Sequence, residues 1–200
     1  MNATTTNTKT TNATTTNATK IGATLWFDRI TVPRSKHGAA PFQEILIAVD
    51  NGKLAALDFN GYEERMQRLL AKRYTEVKFT EKSNPCGFAA RLRSYLAGEL
   101  DALNEIPVDT GGTEFQRAAW QALRTIPAGH TATYAEQAAR IGKPKAVRAT
   151  GAANGQNPVA IVLPCHRVVG ANGSMTGYAG GVATKVWLLR HEGEIGRAHV

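Results

Sequence analysis

An α+β fold is expected, with an N-terminal domain built from a small antiparallel sheet and helices and a C-terminal, mostly helical domain that carries a helix-turn-helix. Three features of the chain predict it. Strand-like runs at Thr24 to Val32, Glu44 to Val49 and Leu54 to Phe59 follow one another, the last two joined by Asp50-Asn51-Gly52-Lys53, a sequence suited to a hairpin turn. Two segments then place apolar residues at helical spacing. The remainder of the chain contains two capping boxes and a Gly-punctuated pair of short amphipathic segments, which read as helices.

Residues 1 to about 20 repeat Thr, Asn and Ala with no hydrophobic periodicity, too apolar-poor to offset the entropy of ordering, and a disordered tail is expected there. The tail has neither the apolar core of a secretory signal nor the arginines of a transit peptide. Residues 21–108 then form the N-terminal domain. Pro33 to Pro41 is a loop between strands. Tyr62 to Tyr74 puts Met66, Leu69 and Leu70 on one face, and Phe88 to Leu100 does the same with Phe88, Leu92, Tyr95 and Leu96. Arg65, Arg68, Arg91 and Arg93 read as solvated faces. Leu103 to Gly112, with Pro107, Gly111 and Gly112, reads as a linker.

Residues 109–195 form the second domain, with 196–200 as a short tail. Thr113 and Gln116 have capping-box spacing at the start of a helix whose Phe115, Ala119, Ala122 and Leu123 face inward. Thr133 and Glu136 repeat that spacing, and Gly142 can close the second helix in a left-handed conformation. Pro144 suits the first turn of a third helix from Lys145 to about Asn154. A helix, a tight turn and a helix bearing Lys143, Lys145 and Arg148 make a helix-turn-helix candidate, although such pairs are also common in proteins that never touch DNA. Ala146, Ala149, Gly151, Ala152, Ala153 and Gly155 would let the third helix approach another helix or a nucleic-acid groove closely.

The chain has 200 residues, 42% of them hydrophobic and 20% charged, which is enough for a real core in one or two domains. Its formal charge of +8 favours a polyanionic partner, most simply nucleic acid, over an anionic membrane surface. Cys86 and Cys165 lack any C-x-x-C spacing, which argues against a zinc knuckle or a disulfide scaffold and suits the reducing cytoplasm. No apolar stretch approaches the length of a membrane span.

Chemistry concentrates in Asn157-Pro158-Val159-Ala160-Ile161-Val162-Leu163-Pro164-Cys165-His166-Arg167. The apolar run reads as a buried extended segment that Pro164 stops, delivering a cysteine beside a histidine. A thiolate attacks and a thiol does not, so a nucleophilic Cys165 needs a base or a cation nearby. From these residues alone, a buried inert thiol remains the equal alternative. Tyr134 alone reads as a core tyrosine.

Together, Pro164-Cys165-His166-Arg167-Val168, Asn157-Pro158, the Tyr134 helix, Arg148 and Leu189-Arg190-His191-Glu192-Gly193 resemble the O6-alkylguanine-DNA alkyltransferases, and within them the bacterial single-purpose type. The resemblance runs from about Gly111 to Gly193. It implies repair of duplex DNA by direct reversal, in which the alkyl group of O6-alkylguanine, and of O4-alkylthymine, moves once and irreversibly to Cys165. It further implies that His166 takes the thiol proton through a water and that Glu192 orients the imidazole. Tyr134 would donate toward the leaving base, and Asn157 would tie the recognition helix to the nucleophile segment. Arg148 would fill the gap left by a flipped base, Ala149 and Gly151 would let the helix lie in the minor groove, and Lys143 and Lys145 would meet phosphates. Arg167 reads as structural.

The alkyl pocket would be walled by Ala160, Val168, Tyr178, Ala179 and Gly180. Two residues depart from the pattern of some relatives: Ala179 stands for serine and Ala160 for proline, and the smaller Ala160 is expected to admit groups larger than methyl. Asn154 replaces an apolar residue. No cofactor and no metal are implied. The expected partner is double-stranded DNA containing alkylated guanine. The protein is expected to be a cytoplasmic monomer, with cooperative alignment of copies on DNA left open. The competing readings are a non-reacting lesion binder of the same shape and a Cys-His hydrolase.

Overall fold

The computed structural model describes residues 20, 22–34, 38–175 and 177–193. Three strands, β1 (Ala23–Thr31), β2 (Glu44–Asp50) and β3 (Lys53–Phe59), form an antiparallel meander, and Asn51 and Gly52 both take positive φ in the β2–β3 turn. The expectation of a purely antiparallel sheet needs correction. A fourth strand, β4 (Val77–Glu81), pairs parallel with the free side of β1, so the sheet is mixed, in the order β3-β2-β1-β4. Four of its five residues are exposed, so no run of buried side chains marks it in the sequence.

Helix α1 (Glu63–Leu70) covers one face of the sheet with Met66, Leu69 and Leu70, and α2 (Phe88–Leu96) packs Phe88, Ala89, Leu92, Tyr95 and Leu96 into the main core. Both helices end earlier than their apolar spacing suggests. The expected disordered tail falls on residues outside those described, as do residues 196–200. Lys20, assigned to that tail, is held: its N–H donates to Arg73 O at 2.8 Å and its Nζ reaches Asp50 Oδ2 at 2.7 Å.

The second half contributes α3 (Glu114–Leu123), β5 (Ala132–Thr133), α4 (Tyr134–Arg140), α5 (Val147–Gly155), β6 (Val168–Val169) and α6 (Val182–His191). Both capping boxes form, with Thr113 and Thr133 accepting from the N–H of Gln116 and Glu136 while those side chains reach back. On α3 the inward residues are Ala119, Trp120 and Leu123, whereas Phe115 and Ala122 are half-buried. Trp120 takes the deep position because its Nε1–H can donate to Ala153 O on α5 at 2.8 Å. Gly142 closes α4 at φ 69°, but α5 begins at Val147, since Lys143 to Ala146 forms a turn of its own.

The linker and the nucleophile segment both lie along β3. Leu54 N–H donates to Pro107 O and Asp109 N–H to Leu54 O, while Leu57 exchanges bonds with Pro158 and Ala160. One core cluster therefore runs from the sheet, through α2 and α3, to Val159–Leu163, Cys165 and Val168. The nucleophile segment is mounted directly on the sheet edge.

Candidate active site

The segment before Cys165 is not the extended run that its apolar composition suggests. Val159 bridges Leu57, after which the chain turns tightly. Ile161 sits at φ 64° while Val162 N–H donates to Ala160 O at 2.7 Å, which is a γ-turn. A β-branched residue at positive φ is strained by roughly 1–3 kcal/mol and persists only where its surroundings over-determine it. Here Asn157 does so. Its Oδ1 accepts from Val159 N–H at 3.0 Å, and its Nδ2 donates to Leu163 O at 2.7 Å and reaches Cys165 Sγ at 3.2 Å. One buried amide thus braces both ends of the turn and touches the sulfur.

Cys165, His166 and Arg167 form a single 3-10 turn that precedes β6, and all three are buried. His166 Nε2 lies 3.0 Å from Glu192 Oε1, at the C-terminus of α6. Arg167 grips the same carboxylate with two bonds of 2.9 Å, from Nε to Oε2 and from Nη2 to Oε1, while its Nη1 donates to Ile126 O. Tyr95 of α2 adds its hydroxyl to Oε1 at 2.7 Å. Arg167 and Tyr95, read from the sequence as structural and core residues, are thus part of the carboxylate's cage.

The electrostatics follow from this cage. Burial opposes the Glu192 charge, but His166 and Arg167 outweigh it and hold the carboxyl far below the usual range. At His166 burial is the largest influence and, with the charges of Arg167 and Lys185, outweighs the attraction of Glu192 and lowers the pKa below the ordinary 6.5. A neutral imidazole beside a carboxylate places its proton on Nε2, the nitrogen that donates to Oε1. Nδ1 is left as a lone pair, buried and without a hydrogen-bond partner among the described residues. At Cys165 burial pushes the thiol above the ordinary 9.0, opposed by the Asn157 hydrogen bond and by the charges of Arg65 and Lys185. The thiol is therefore the resting form near neutrality and needs a base to react.

Sequence reading missed the roles of two cations. Arg65 of α1, read as solvated, has a side chain only 11% exposed. It pairs with Asp58 Oδ2 at 2.5 Å and donates from Nη2 to Asn157 O at 2.9 Å and Gly155 O at 3.3 Å, so the first half of the chain grips the end of α5. Lys185, fully buried in α6, donates to Val168 O at 2.6 Å, and burial lowers its pKa. Neither partner lies nearby in the sequence, and only the charged residue inside the α6 segment Thr184-Lys185-Val186-Trp187 hinted at the second.

Tyr134 opens α4 directly after β5, whose parallel pairing with β6 (Ala132 with Val168, Thr133 with Val169) brings the tyrosine to the nucleophile's side. Its hydroxyl contacts Gly177 O at 3.5 Å; burial, then the charge of Cys165, raises its pKa. Its ring packs beside Gly151 of α5. Arg148, Ala149, Lys143 and Lys145 are exposed, apart from the buried cluster. The helix that carries the first two is fixed from beneath by a reciprocal amide pair, Gln137 Nε2 to Asn154 Oδ1 at 3.0 Å and Asn154 Nδ2 to Gln137 Oε1 at 2.7 Å. Asn154 therefore joins α4 to α5.

Of the expected pocket residues, Ala160 lies in the γ-turn with its N–H on Leu57 O at 3.2 Å, and Val168 is fully buried in β6. Tyr178, Ala179 and Gly180 form the loop before α6. A Cβ on Gly180 would stand 2.6 Å from the Phe59 ring, so only glycine lets this loop close on the sheet.

The chain that carries this buried cysteine, histidine and carboxylate is similar to known proteins over most of its length. Residues 114–194 match the model of the 6-O-methylguanine DNA methyltransferase DNA-binding domain. The chain is 49% identical to a methylated-DNA–protein-cysteine methyltransferase of Shigella flexneri over 158 residues, 78% of this chain and 92% of that protein. The chain belongs to the methylated-DNA–protein-cysteine methyltransferase family. A Methanosarcina acetivorans member is 43% identical over 77% of this chain and 94% of its own length. Among solved structures, that of Mycobacterium tuberculosis OGT in complex with DNA superposes with a TM-score of 0.65 at 36% identity, covering 84% of this chain and 92% of the other. Family membership extends over the sheet half as well, which motif resemblance alone did not reach.

Proposed function

We propose that this protein repairs DNA by moving the alkyl group of O6-alkylguanine, and of O4-alkylthymine, from duplex DNA to Cys165, once per molecule and without a cofactor. The observation that carries the reading is the orphaned Nδ1 of a neutral His166 whose other nitrogen is locked on Glu192, next to a protonated, buried Cys165. Nδ1 takes the thiol proton through a water, and the thiolate attacks the alkyl carbon. The S–C bond forms as the C–O6 bond breaks. The electron pair passes to the guanine ring, toward which the Tyr134 hydroxyl donates so that the base leaves neutral.

The target carbon is stacked inside the duplex, so the nucleotide is flipped out at a cost of a few kcal/mol. Arg148 fills the gap, Ala149 and Gly151 allow α5 into the minor groove, and Lys143 and Lys145 bind phosphates. Ala160, Val168, Tyr178, Ala179 and Gly180 enclose the alkyl group, and Ala160 leaves room for groups larger than methyl. A faster transfer of O6-benzylguanine after Ala160→Pro contradicts that last point. The reading keeps residues 21–108 and 109–195 as two units, and takes the protein as a cytoplasmic monomer. Among the described residues no helix is long and apolar enough to cross a membrane.

Titration tests the reaction. With excess O6-methylguanine duplex, repaired lesions should rise to one per protein molecule and stop. Continued product release points to a hydrolase, and binding without repair to a lesion-binding module.

A further inference from the structure

Helix α2 brings one side chain from the sheet half of the chain to the histidine–carboxylate pair. The Tyr95 hydroxyl donates to Glu192 Oε1 at 2.7 Å, and the same oxygen accepts from His166 Nε2 at 3.0 Å and from Arg167 Nη2 at 2.9 Å. Among the described residues, Oε2 accepts only from Arg167 Nε, at 2.9 Å. The donors are therefore unevenly shared. A carboxylate oxygen offers about two lone-pair directions, so three donors on Oε1 compete, and the tyrosine makes the shortest of the three bonds. Tyr95 is fully buried and is itself held, since His191 Nε2 donates to its backbone oxygen at 2.9 Å and the His191 ring stands edge-on to its own at 5.1 Å. Burial, then the charge of Glu192, pushes the phenol well above its ordinary 10.0, so the hydroxyl stays a donor through the acid and neutral range.

A base must be neutral before it can take a proton. A buried carboxylate facing Nε2–H favours the imidazolium, and each further donor on the oxygen that His166 uses withdraws part of that attraction. Arg167 acts on both oxygens. Tyr95 acts on Oε1 alone, the one His166 shares. We propose that Tyr95 is a positioning residue for the transfer reaction, which by sharing Oε1 limits the hold of Glu192 on the imidazole and keeps Nδ1 of His166 free to take the thiol proton in mildly acid conditions. The inference rests on the alkyl-transfer reading for its role and on the three bonds to Oε1 for its geometry. The other titratable groups that face this network are Cys165 and Arg167 on the 3-10 turn, Tyr178 on the loop before α6, and Lys185 and His191 on α6. Each is common to the natural protein and to a Tyr95 variant, so a difference between the two belongs to the hydroxyl.

Tyr95→Phe keeps the ring and removes only the bond to Oε1. Two measurements follow it: the single-turnover rate on an O6-methylguanine duplex against pH, and the titration of the His166 imidazole by NMR without DNA. Both the acid limb of the rate and the imidazole titration should move up by about half a pH unit or more, the share expected for one hydrogen bond to a charged group acting through a second. Leu92→Ala, a buried residue on the same helix, serves as the comparison; it should lower the melting temperature and leave both titrations in place. Titrations that stay where they are or move down in Tyr95→Phe, or that move equally in Leu92→Ala, overturn the proposal. A natural protein that transfers no methyl overturns the alkyl-transfer reading instead, and the imidazole titration alone then decides whether Tyr95 restrains the pair.

Discussion

Helix α5 and the nucleophile segment are consecutive in the chain and meet at Asn157, yet they are held in opposite ways. From Asn157 to Val169 every residue is buried, and the polar side chains of Asn157, His166 and Arg167 are tied to backbone or to Glu192. On α5 the buried side carries Thr150, Ala153 and Asn154, while Arg148, Ala149, Ala152 and Gly155 face solvent. Rigid, desolvated groups suit chemistry, where a small misplacement is costly. Exposed cations suit a polyanion that must be found and released. Substitutions should therefore separate: in the segment they should change transfer and stability, and on the helix they should change DNA binding alone.

The sharpest separation is expected from Cys165→Ala, which should abolish transfer and leave duplex affinity within about twofold of the natural protein, because it deletes one buried atom and leaves the exposed cations in place. Loss of affinity by an order of magnitude in a gel-shift assay would break the division. Next is Glu192→Gln. It leaves Arg167 buried beside a neutral amide, and removing one partner of a buried pair costs on the order of 3–5 kcal/mol. Chemical denaturation should show that loss, and single-turnover transfer should slow by about a hundredfold as the imidazole loses its anchor.

Acid tests the same network. Glu192 is depressed below its ordinary 4.5, so its stabilising contribution is complete above that value and lost as pH falls through the folded-state pKa. His166 is also depressed: below pH 6.5 the unfolded chain takes up a proton that the folded chain refuses, so stability already declines there. Melting temperature should therefore fall on acidification from pH 6.5 and fall further below pH 4.5. Arg167→Leu leaves Glu192 to attract a proton onto His166, and the acid limb of the transfer rate should move up by about one pH unit or more. An unshifted limb contradicts the role given to Arg167.

The two regions also differ in how far the sequence revealed them. Capping boxes at Thr113 and Thr133, the Gly142 stop and the Asn51-Gly52 turn depend on neighbours in the chain, and these were legible. The partners of Glu192 were only partly so. His166 came from motif resemblance, but Tyr95 is 97 positions away and spaced like any core residue. Arg65 looked solvated because charge on a helix usually is, and its contact with Asn157 spans 92 positions. The γ-turn at Ile161 ran against local preference, since Val, Ile and Leu in succession favour an extended strand; the Asn157 side chain and the β3 edge override it.

Smaller effects belong to α5. Arg148→Ala should reduce lesion affinity on the order of tenfold, a fraction of the flipping cost, and change stability by less than about 0.5 kcal/mol. Lys143→Ala and Lys145→Ala should each weaken duplex binding a few-fold and reduce the salt dependence by about one charge. A drop in melting temperature with these variants, matching that of Glu192→Gln, would erase the contrast between the two regions.

The central claim is that this buried thiol becomes a thioether. Peptide mass analysis after incubation with an O6-methylguanine duplex measures it most directly. A single methyl on the peptide holding Cys165, absent from Cys165→Ala, is the predicted result. An unmodified Cys165 peptide from protein that has nevertheless repaired the duplex, or a methyl on Cys86 instead, would contradict it.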